Sequence, residues 1–234
     1  MKEQDITLSV IIPCYNEAKT IETVIDSVRN CGVTNTEIIV VDDCSRDGSR
    51  ELLCGRLREK IDQLVLQDRN MGKGAALAAG FKHATGDVVA IQDADLEYNP
   101  KEFTRLIKPF LRDDDRRADV VYGSRYARGE IYVVESYWHA WGNRFLTWLS
   151  NIKTNLWLTD METCYKLFKR EVIQSIEIKE HRFGFEPEIT AKIAKGHKYR
   201  IFEMPISYYP RTYDAGKKIG IKDGFRAIYC IFKY

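Results

Sequence analysis

The chain has 234 residues, of which 44% are hydrophobic and 30% are charged, and its formal net charge is +2. This composition is typical of a folded protein with its own hydrophobic core, so it excludes disordered, collagen-like and mucin-like classes. The balance of charge also excludes the strongly basic surface of a general nucleic-acid binder, and we predict no nucleic-acid partner.

The uncharged segments and the cysteines bear on where the protein works. The longest segment without Asp, Glu, Lys or Arg covers residues 6–16, which is too short to span a bilayer. Residues 1–5 are polar and no signal-peptide pattern follows them. The six cysteines are scattered and show no zinc spacing. We therefore expect a cytoplasmic protein with reduced thiols.

Charge is distributed unevenly along the chain. Residues 190–234 contain ten Lys or Arg residues and three acidic residues, so the part before them is net acidic. An acidic first part favours a cation site, and a basic last part favours contact with phosphate or with an anionic surface.

The first half of the chain alternates strand patterns with helix patterns. Short apolar runs that end in turn residues predict the strands, and apolar residues at helical spacing predict the helices. Such an alternation predicts an α/β fold with a mainly parallel central sheet flanked by helices. The predicted strands are 7–12, 37–41, 63–66 and 87–91, and the predicted helices are 17–30, 47–60, 73–84 and 100–112.

The second half is less regular but shows no repeat and no linker, so we predict a single domain over residues 1–234. A helix over 136–151 carries Trp138, Trp141, Phe145 and Trp148, which we interpret as core packing, with membrane contact as the alternative. A strand is predicted over 199–203 and an amphipathic helix over 219–232.

Three carboxylates follow the fourth predicted strand. Asp93, Asp95 and Glu97 are closely spaced, and they repel each other unless a cation holds them. Carboxylate oxygens at the end of a strand suit Mg²⁺ or Mn²⁺, which also take oxygens from a substrate phosphate. The sequence thus predicts a metal site here, although surface acids with no ligand remain the alternative.

A glycine-rich segment precedes the third predicted helix. Gly72 and Gly74 let the backbone approach a ligand, and Lys73 at the helix N-terminus favours an anion. The segment is neither a Walker A loop nor a dinucleotide-binding fingerprint, because the required glycines are absent. The alternative is a simple turn with a solvated lysine.

Taken together and in order, these segments resemble glycosyltransferase family 2 enzymes with the GT-A fold. The later segments resemble the dolichol- or polyprenyl-phosphate sugar transferase branch, and the resemblance runs from about residue 6 to residue 224. The matching segments are IPCYNE (12–17), VDDCS (41–45), NMGKG (70–74), QDAD (92–95), GSRY (123–126), TDMETCYK (159–166), FGFEPE (183–188) and PISY (205–208).

The resemblance implies a metal-dependent, inverting transfer of a sugar from a nucleoside diphosphate sugar, such as a UDP- or GDP-sugar, to a polyprenyl phosphate. Residues 6–122 would bind the donor, and residues 123–234 would form the acceptor side. Two alternatives stay open: a transferase acting on a glycan or protein hydroxyl, and a nucleotide-sugar-binding subunit without turnover of its own.

The resemblance also assigns roles to residues. Asp93 and Asp95 act through Mg²⁺ or Mn²⁺, with Glu97 as a further metal ligand at a position that is often Gln in the family. Arg125 and Arg144 face the acceptor phosphate, with a helix-surface charge as the alternative for Arg144. The donor-binding residues are Pro13, Tyr15, Glu17, Asp42, Asp43, Lys73, Arg211 and Lys217.

The remaining acids divide between catalysis and support. Asp160 and Lys166 help shape the active site, and Glu188 is assigned a catalytic position. Glu186 or Glu188 would serve as a general base if the acceptor were a hydroxyl, whereas both would otherwise belong to a helix start.

A polyprenyl phosphate resides in a bilayer, so we expect peripheral contact with the cytosolic face of a membrane. The basic residues Lys222, Arg226 and Lys233 and the apolar residues Phe225 and Phe232 of the terminal helix predict where this contact lies. Packing of that apolar face on the rest of the protein is the alternative.

Overall fold

A computed structural model describes residues 6–112, 114–127, 136–210 and 221–234, without the side chains of residues 221 and 222. The predicted donor residues Arg211 and Lys217 lie outside the described residues.

The centre of the molecule is a seven-stranded sheet with the strand order β3-β2-β1-β4-β6-β5-β7. Only β6 runs antiparallel to its neighbours among these strands, and the other pairings are parallel. The mainly parallel sheet that the alternating pattern predicted is therefore confirmed. The strands are β1 (Thr7–Cys14), β2 (Asn35–Asp42), β3 (Gln63–Leu66), β4 (Val88–Ile91), β5 (Val120–Ser124), β6 (Lys166–Lys169) and β7 (Ile201–Pro205).

Helices cover the sheet. The first of them buries Ile21, Val24, Ile25 and Val28, the residues whose helical spacing predicted it. The helices are α1 (Ile21–Arg29), α2 (Ser49–Cys54), α3 (Lys73–His83), α4 (Phe103–Leu106), α5 (Tyr137–Thr154), α6 (Arg170–Gln174), α7 (Phe185–Ala194) and α8 (Ile221–Lys233).

Strand register places the polar segments at one edge of the sheet. Cys14 at the end of β1 pairs with Asp42 at the end of β2, and Ile11 of β1 pairs with Ile91 at the end of β4. The residues that follow these positions therefore emerge on the same side of the sheet, as expected for the carboxyl ends of parallel strands.

Two predicted helices are shorter than the pattern suggested. The helix predicted over 47–60 ends at Cys54, because Gly55 follows it, and a 3₁₀ turn covers Arg58–Lys60. The helix predicted over 100–112 consists of α4 between two 3₁₀ turns. Pro109 explains its second break, since proline removes a backbone donor and clashes with the preceding turn.

The second half contains elements that the apolar pattern did not predict. Strands β5 and β6 lie in the middle of the sheet, and the proposed division at residue 122 falls inside β5. The core interpretation of the aromatic residues on α5 is wrong: Trp138 is 75% exposed and Trp148 is 57% exposed. Their neighbours Trp141 and Phe145 are exposed as well.

Candidate active site

The loop after β2 is held by an ion pair between the buried Asp42 and the partly exposed Arg50. Asp42 is fully buried, and its Oδ2 accepts a hydrogen bond from Arg50 Nε at 2.6 Å. Asp42 also accepts from the backbone N–H of Ser45 at 3.3 Å. Asp42 thus shapes the loop that faces the end of β1, a position consistent with its predicted place beside the donor.

Asp43 connects this loop to the glycine-rich segment. Its carboxylate accepts from the backbone N–H of Met71 at 2.7 Å and of Gly72 at 2.8 Å. Burial raises the pKa of Asp43, although the two backbone hydrogen bonds oppose this effect. The predicted donor residues 42–43 and 70–74 are therefore brought together, with Asp43 as the link.

The two glycines of that segment make room for protein, which corrects the expectation that they make room for a ligand. A Cβ on Gly72 would lie 2.5 Å from the carbonyl oxygen of His181, and one on Gly74 would lie 2.1 Å from that of Glu180. The N–H of Ala75 already donates to the His181 carbonyl at 3.1 Å. The start of α3 is thus partly covered by the chain itself.

Lys73 points to the carboxylates of the site. Its ammonium group lies 3.0 Å from Asp93 Oδ1, 3.3 Å from Glu186 Oε1 and 3.2 Å from Cys164 Sγ. Burial would lower the pKa of Lys73, but the surrounding groups, with Asp93 foremost and Glu186 among them, together outweigh burial and hold this pKa well above its usual value. A solvated lysine is therefore excluded, and Lys73 is a fixed positive charge beside Asp93.

The three predicted metal ligands do not all converge. Asp95 is buried and accepts from the N–H of Glu97 at 3.1 Å, whereas the Glu97 carboxylate accepts from the Tyr208 hydroxyl at 2.9 Å. No group of three or more His, Cys, Asp or Glu side chains suited to a metal occurs within the described ranges. Glu97 thus has a protein partner in Tyr208, and its role as a metal ligand stays a prediction beside that of Asp93 and Asp95.

Arg125 is held inside the protein by Asp160. Its Nε and Nη2 donate to the two carboxylate oxygens of Asp160 at 2.7 and 2.8 Å, and both side chains are buried. Burial would lower the pKa of Arg125, but Asp160 outweighs it and raises that pKa well above its usual value. Glu203 in turn accepts from the N–H of Asp160 at 3.1 Å, so it fixes the position of the pair.

The two predicted acceptor arginines meet at one tyrosine. The guanidinium of Arg125 lies 5.4 Å from the centroid of the Tyr126 ring, and that of Arg144 lies 5.3 Å from it. Arg125 also lies 5.2 Å from the centroid of the Tyr208 ring, whose hydroxyl donates to Glu97. Tyr208 therefore joins this arginine cluster to the loop that carries Asp93 and Asp95. Its role was not predicted from the PISY segment.

Glu188 does not have the environment of a catalytic acid or base. It is fully buried, and its carboxylate accepts from the backbone N–H groups of Lys179 and Glu180 at 2.8 and 2.7 Å. The ammonium of Lys192 lies 2.5 Å from it, one helical turn along α7. This placement contradicts the catalytic assignment of Glu188, which instead anchors the chain before α7.

Two buried groups behind the arginine pair have shifted pKa values. Burial raises the pKa of Glu162 to about 8, with a further contribution from the charge of Glu186. Burial lowers the pKa of Lys166, whose ammonium donates to the carbonyl oxygens of Met161 and Thr163. Lys166 thus holds the turn over residues 161–163 in place.

The remaining donor candidates sit around the end of β1. Pro13 is the penultimate residue of the strand, and Tyr15 and Glu17 follow it, all three half-buried. The Thr20 hydroxyl donates to the carbonyl of Ala94 at 2.7 Å, and its oxygen lies 3.1 Å from the Glu17 carboxylate. The β1 loop and the Asp93–Asp95 loop are therefore in direct contact.

Comparison with known protein families agrees with this geometry. The family model described as Glycosyl transferase family 2 matches residues 9–177 of the chain. The chain belongs to glycosyl transferase family 2. The matched range includes the ends of β1, β2 and β4, the arginine pair of Arg125 with Asp160, and Lys166.

Curated relatives of this family 2 glycosyltransferase carry the name undecaprenyl-phosphate 4-deoxy-4-formamido-L-arabinose transferase. The protein from Aeromonas hydrophila is 29% identical over 223 residues, which cover 93% of this chain and 64% of that protein. The protein from Pseudomonas aeruginosa strain LESB58 is 28% identical, with coverage of 93% and 62%. The chain thus spans a little under two thirds of the length of these relatives.

Solved structures of glycosyltransferases share the fold. Glucosyl-3-phosphoglycerate synthase from Mycobacterium tuberculosis, solved with Mn²⁺, UDP and glucosyl-3-phosphoglycerate, is 20% identical with a TM-score of 0.72 and coverage of 97% of this chain and 79% of that one. Mannosyl-3-phosphoglycerate synthase from Rubrobacter xylanophilus is 18% identical with a TM-score of 0.74 and coverage of 97% and 72%. The GT-A fold is thereby confirmed.

The helices were also compared with the requirements of a membrane span. Within the parts of the chain that the structure describes, no helix combines the length and the hydrophobicity that crossing a bilayer requires.

Proposed function

We propose that this family 2 glycosyltransferase is a metal-dependent, inverting enzyme that moves one sugar from a UDP- or GDP-sugar to a polyprenyl phosphate. The observation that carries this proposal is the cluster of Arg125, Arg144 and Tyr126, which Tyr208 joins to the Asp93–Asp95 loop. Arginine binds phosphate oxygens through paired N–H donors. Because Nε and Nη2 of Arg125 already bind Asp160, Arg144 would offer the paired donors, and Arg125 would supply positive charge beside them. The relatives named for transfer involving undecaprenyl phosphate support the same acceptor class.

The donor side fits a divalent cation. Asp93 and Asp95 offer hard oxygen ligands at the end of β4, and Mg²⁺ or Mn²⁺ in such enzymes needs one or two carboxylates besides the substrate phosphates. The Mn²⁺ and UDP named for the mycobacterial neighbour support this assignment. Once bound, the cation would supply Lewis-acid stabilisation of the departing diphosphate. Besides the cation, the ammonium group of Lys73 would supply a positive charge next to Asp93.

The acceptor side explains why no general base is needed. A phosphate oxygen of the acceptor attacks the anomeric carbon of the sugar while the bond from that carbon to the diphosphate oxygen breaks, and a single displacement inverts the anomeric configuration. A phosphate monoester is already anionic near neutral pH, so it requires alignment by cations rather than proton removal. The carboxylate of Glu188, which is occupied by backbone N–H groups, is consistent with this route.

The arrangement of the chain supports a division of labour. We propose that residues 6–122 hold the nucleoside diphosphate sugar and that residues 123–234 serve the acceptor. Asp42, Asp43 and Lys73 belong to the first part, and both acceptor arginines belong to the second. The protein would work in the cytoplasm at the membrane surface, where a polyprenyl phosphate presents its headgroup.

Mass spectrometry of reaction products tests the proposal. The enzyme is incubated with UDP- and GDP-sugars, Mg²⁺ or Mn²⁺, and either a short polyprenyl phosphate or the matching polyprenol. We expect a polyprenyl phosphosugar from one donor, no product from the polyprenol, and no product when EDTA is present. Transfer to the polyprenol, or donor hydrolysis as the sole reaction, would contradict the proposed acceptor.

A hydroxyl acceptor is the second candidate, and the position of Glu186 favours it. This carboxylate is buried beside Lys73 and is the acid from the FGFEPE segment that adjoins the Asp93 site. A hydroxyl nucleophile would need such a base. Glu186→Gln should then abolish transfer while leaving donor binding intact, whereas the phosphate route predicts that much of the rate remains.

A further inference from the structure

Helix α5 carries large apolar side chains on its outer side as well as on its inner side, where Leu146 and Leu149 pack against the core. Its buried residues are the polar side chains Thr147, Ser150 and Thr154. Its exposed residues include large apolar side chains at a spacing of three or four positions, which place them on one side of the helix. These residues, together called the aromatic face, are Trp138, Trp141, Phe145, Trp148 and Ile152, each at least 36% exposed.

The aromatic face is continuous along the helix. The rings of Trp141 and Phe145 stack with centroids 5.6 Å apart, and those of Phe145 and Trp148 stack at 6.0 Å. A soluble helix normally turns such a stripe towards the core. An apolar stripe of this size that faces outward marks a surface for another apolar body.

Helix α8 extends the apolar surface. It packs against α5 and exposes Phe225, Tyr229 and Phe232 at positions i, i+4 and i+7, while Ala227 and Ile231 are buried. Part of the predicted apolar face of this helix therefore points to solvent, so packing on the protein does not account for all of it.

The charge on these two helices is mainly positive. Helices α5 and α8 contain five Lys or Arg residues and a single acidic residue, Asp223. Arg226 and Lys233 of α8 pair with Glu180, so the charge argument rests chiefly on α5, which contains no acidic residue. Arg144 and Lys153 are exposed on α5. Two copies of this surface would bring like charges together, whereas an anionic lipid surface complements them.

We propose that the aromatic face of α5, with the exposed residues of α8, docks on the surface of an anionic lipid bilayer. Tryptophan and tyrosine favour the boundary between headgroups and acyl chains, and basic residues bind anionic headgroups from the same side. The proposal rests on the proposed function in one respect: Arg144 lies on the same helix, so docking brings the arginine cluster over Tyr126 to the level of lipid headgroups.

The tryptophans provide a direct probe of docking. All four tryptophans of the chain, Trp138, Trp141, Trp148 and Trp157, lie on α5 or just after it, and each is more than half exposed. Their emission should shift to the blue when vesicles of phosphatidylcholine with phosphatidylglycerol are added, and brominated lipids should quench it. The vesicles contain no polyprenyl phosphate, so docking is tested separately from acceptor use.

Sedimentation with the same vesicles tests the chemistry of the surface. Binding should be about tenfold stronger on anionic vesicles than on pure phosphatidylcholine, and high salt should remove this difference. Trp141→Ser combined with Trp148→Ser should weaken binding about tenfold, since two exposed rings no longer enter the interface. Lys153→Glu should weaken binding to anionic vesicles only.

Matched controls come from the rest of the surface. Leu66→Ser removes another exposed apolar side chain, at the end of β3, and Lys82→Glu reverses an exposed charge on α3; neither should change binding. Circular dichroism confirms that each variant is folded.

Three results would overturn the proposal. The first is an unchanged emission spectrum and no sedimentation on anionic vesicles at low salt. The second is full binding by the Trp141→Ser, Trp148→Ser variant. The third is a dimer in size-exclusion chromatography that this double variant converts to a monomer while vesicle binding is absent, since a second copy would then cover the aromatic face. Sugar transfer to a detergent-dispersed polyprenyl phosphate is measured in parallel, so that loss of docking and loss of the proposed activity are told apart.

Discussion

A single ammonium group, that of Lys73, lies within ion-pair distance of two carboxylates from distant parts of the sequence. Asp93 and Glu186 lie 3.0 and 3.3 Å from it, and all three side chains are at least four-fifths buried. Removal of one partner from such a group leaves uncompensated charge in a poorly solvated place. Lys73 is the first residue of α3 and therefore lies at this edge of the sheet, whereas the other basic residues of α3 lie in its last turn.

We expect Lys73→Met to lower the free energy of unfolding by about 2–3 kcal/mol, below the range for a fully buried pair because water reaches part of the cluster. Urea denaturation in the absence of divalent cations measures this change. Lys82→Met, on the exposed side of the same helix, should leave stability nearly unchanged. Equal stability of the Lys73→Met and Lys82→Met variants would show that the ammonium charge of Lys73 does not stabilise the fold through Asp93 and Glu186.

Asp95 and Glu97 are two residues apart, yet their carboxylates contact different groups. Asp95→Asn should reduce sugar transfer about 100-fold or more, because a metal ligand at the leaving diphosphate contributes several kcal/mol to the transition state. Glu97→Gln keeps an oxygen for the Tyr208 hydroxyl and should cost far less. Initial rates across a series of Mn²⁺ concentrations measure both effects. Similar losses in the two variants would support Glu97 as a metal ligand.

At the scale of elements, residues 179–182, here called the linking segment, connect three helices. Glu188 of α7 accepts from its N–H groups, and its own carbonyls contact the start of α3 at Gly74 and Ala75. Glu180 of the segment accepts from Arg226 and Lys233 of α8. The linking segment therefore holds the helices of the second half against the Lys73 end of the donor side.

A pair of helix glycines tests this contact. Gly74→Ala should destabilise the protein by about 1–3 kcal/mol, because the new Cβ would lie 2.1 Å from the carbonyl oxygen of Glu180. Gly142→Ala, inside α5 with no atom near the new Cβ, should instead stabilise it by about 0.5–1 kcal/mol through helix propensity. Thermal and urea unfolding of both variants measure the opposite signs, and stabilisation by Gly74→Ala would contradict the close approach.

The attachment of α8 should depend on pH through Glu180. Burial would raise the pKa of this carboxyl, but hydrogen bonds from Arg226, Lys233 and Tyr234 outweigh it and lower the pKa to about 2, from 4.5 in an unfolded chain. A lowered pKa stabilises the fold above the unfolded value and is lost as the pH falls towards the folded value. Wild type should therefore exceed Glu180→Gln in stability at pH 6, and the difference should shrink between about pH 4.5 and pH 2.

Urea denaturation at a series of pH values measures that difference. Glu171→Gln, at an exposed position of α6, serves as the surface control. A difference between wild type and Glu180→Gln that does not vary from pH 6 to pH 3 would show that the contacts of Glu180 are too weak to hold α8.

At the scale of the whole molecule, the sequence pattern predicted the strands and helices whose formation depends on neighbouring residues. The strand 63–66 matches β3 residue for residue, and the apolar spacing of α1 marked its buried face. Strands β5 and β6 were not predicted, because their place in the sheet depends on pairing between distant segments, such as Val120 with Phe168. The exposure of Trp141 was not predicted for a related reason. Periodicity defines one face of a helix but does not show whether protein or solvent covers that face.

The site shows the same limit. The strand pattern predicted that the segments after β1, β2 and β4 share one edge, since carboxyl ends of parallel strands do so, and the family resemblance added Arg125 to the site. The motifs did not predict which groups Glu186 and Glu188 contact. These two acids are two residues apart on one helix, yet Glu188 faces backbone N–H groups and Glu186 faces Lys73. Side-chain direction on a helix, rather than motif membership, separates the supporting acid from the one at the site.

The proposed separation of a donor side from an acceptor side leads to a prediction for the whole enzyme. Arg144 is exposed on α5 and lies over Tyr126, whereas the donor candidates Asp42 and Asp43 lie at the ends of β1 and β2. Arg144→Gln should therefore raise the KM for polyprenyl phosphate about tenfold, the cost of one charge-assisted contact to phosphate, and leave the Kd for the nucleotide unchanged. Arg116→Gln, a highly exposed position in the turn before β5, should change neither constant. Kinetics with detergent-dispersed acceptor and calorimetry with UDP or GDP measure the two quantities independently. A parallel loss of nucleotide affinity in Arg144→Gln would place this arginine on the donor side, and an unchanged KM would leave it as a surface charge of α5.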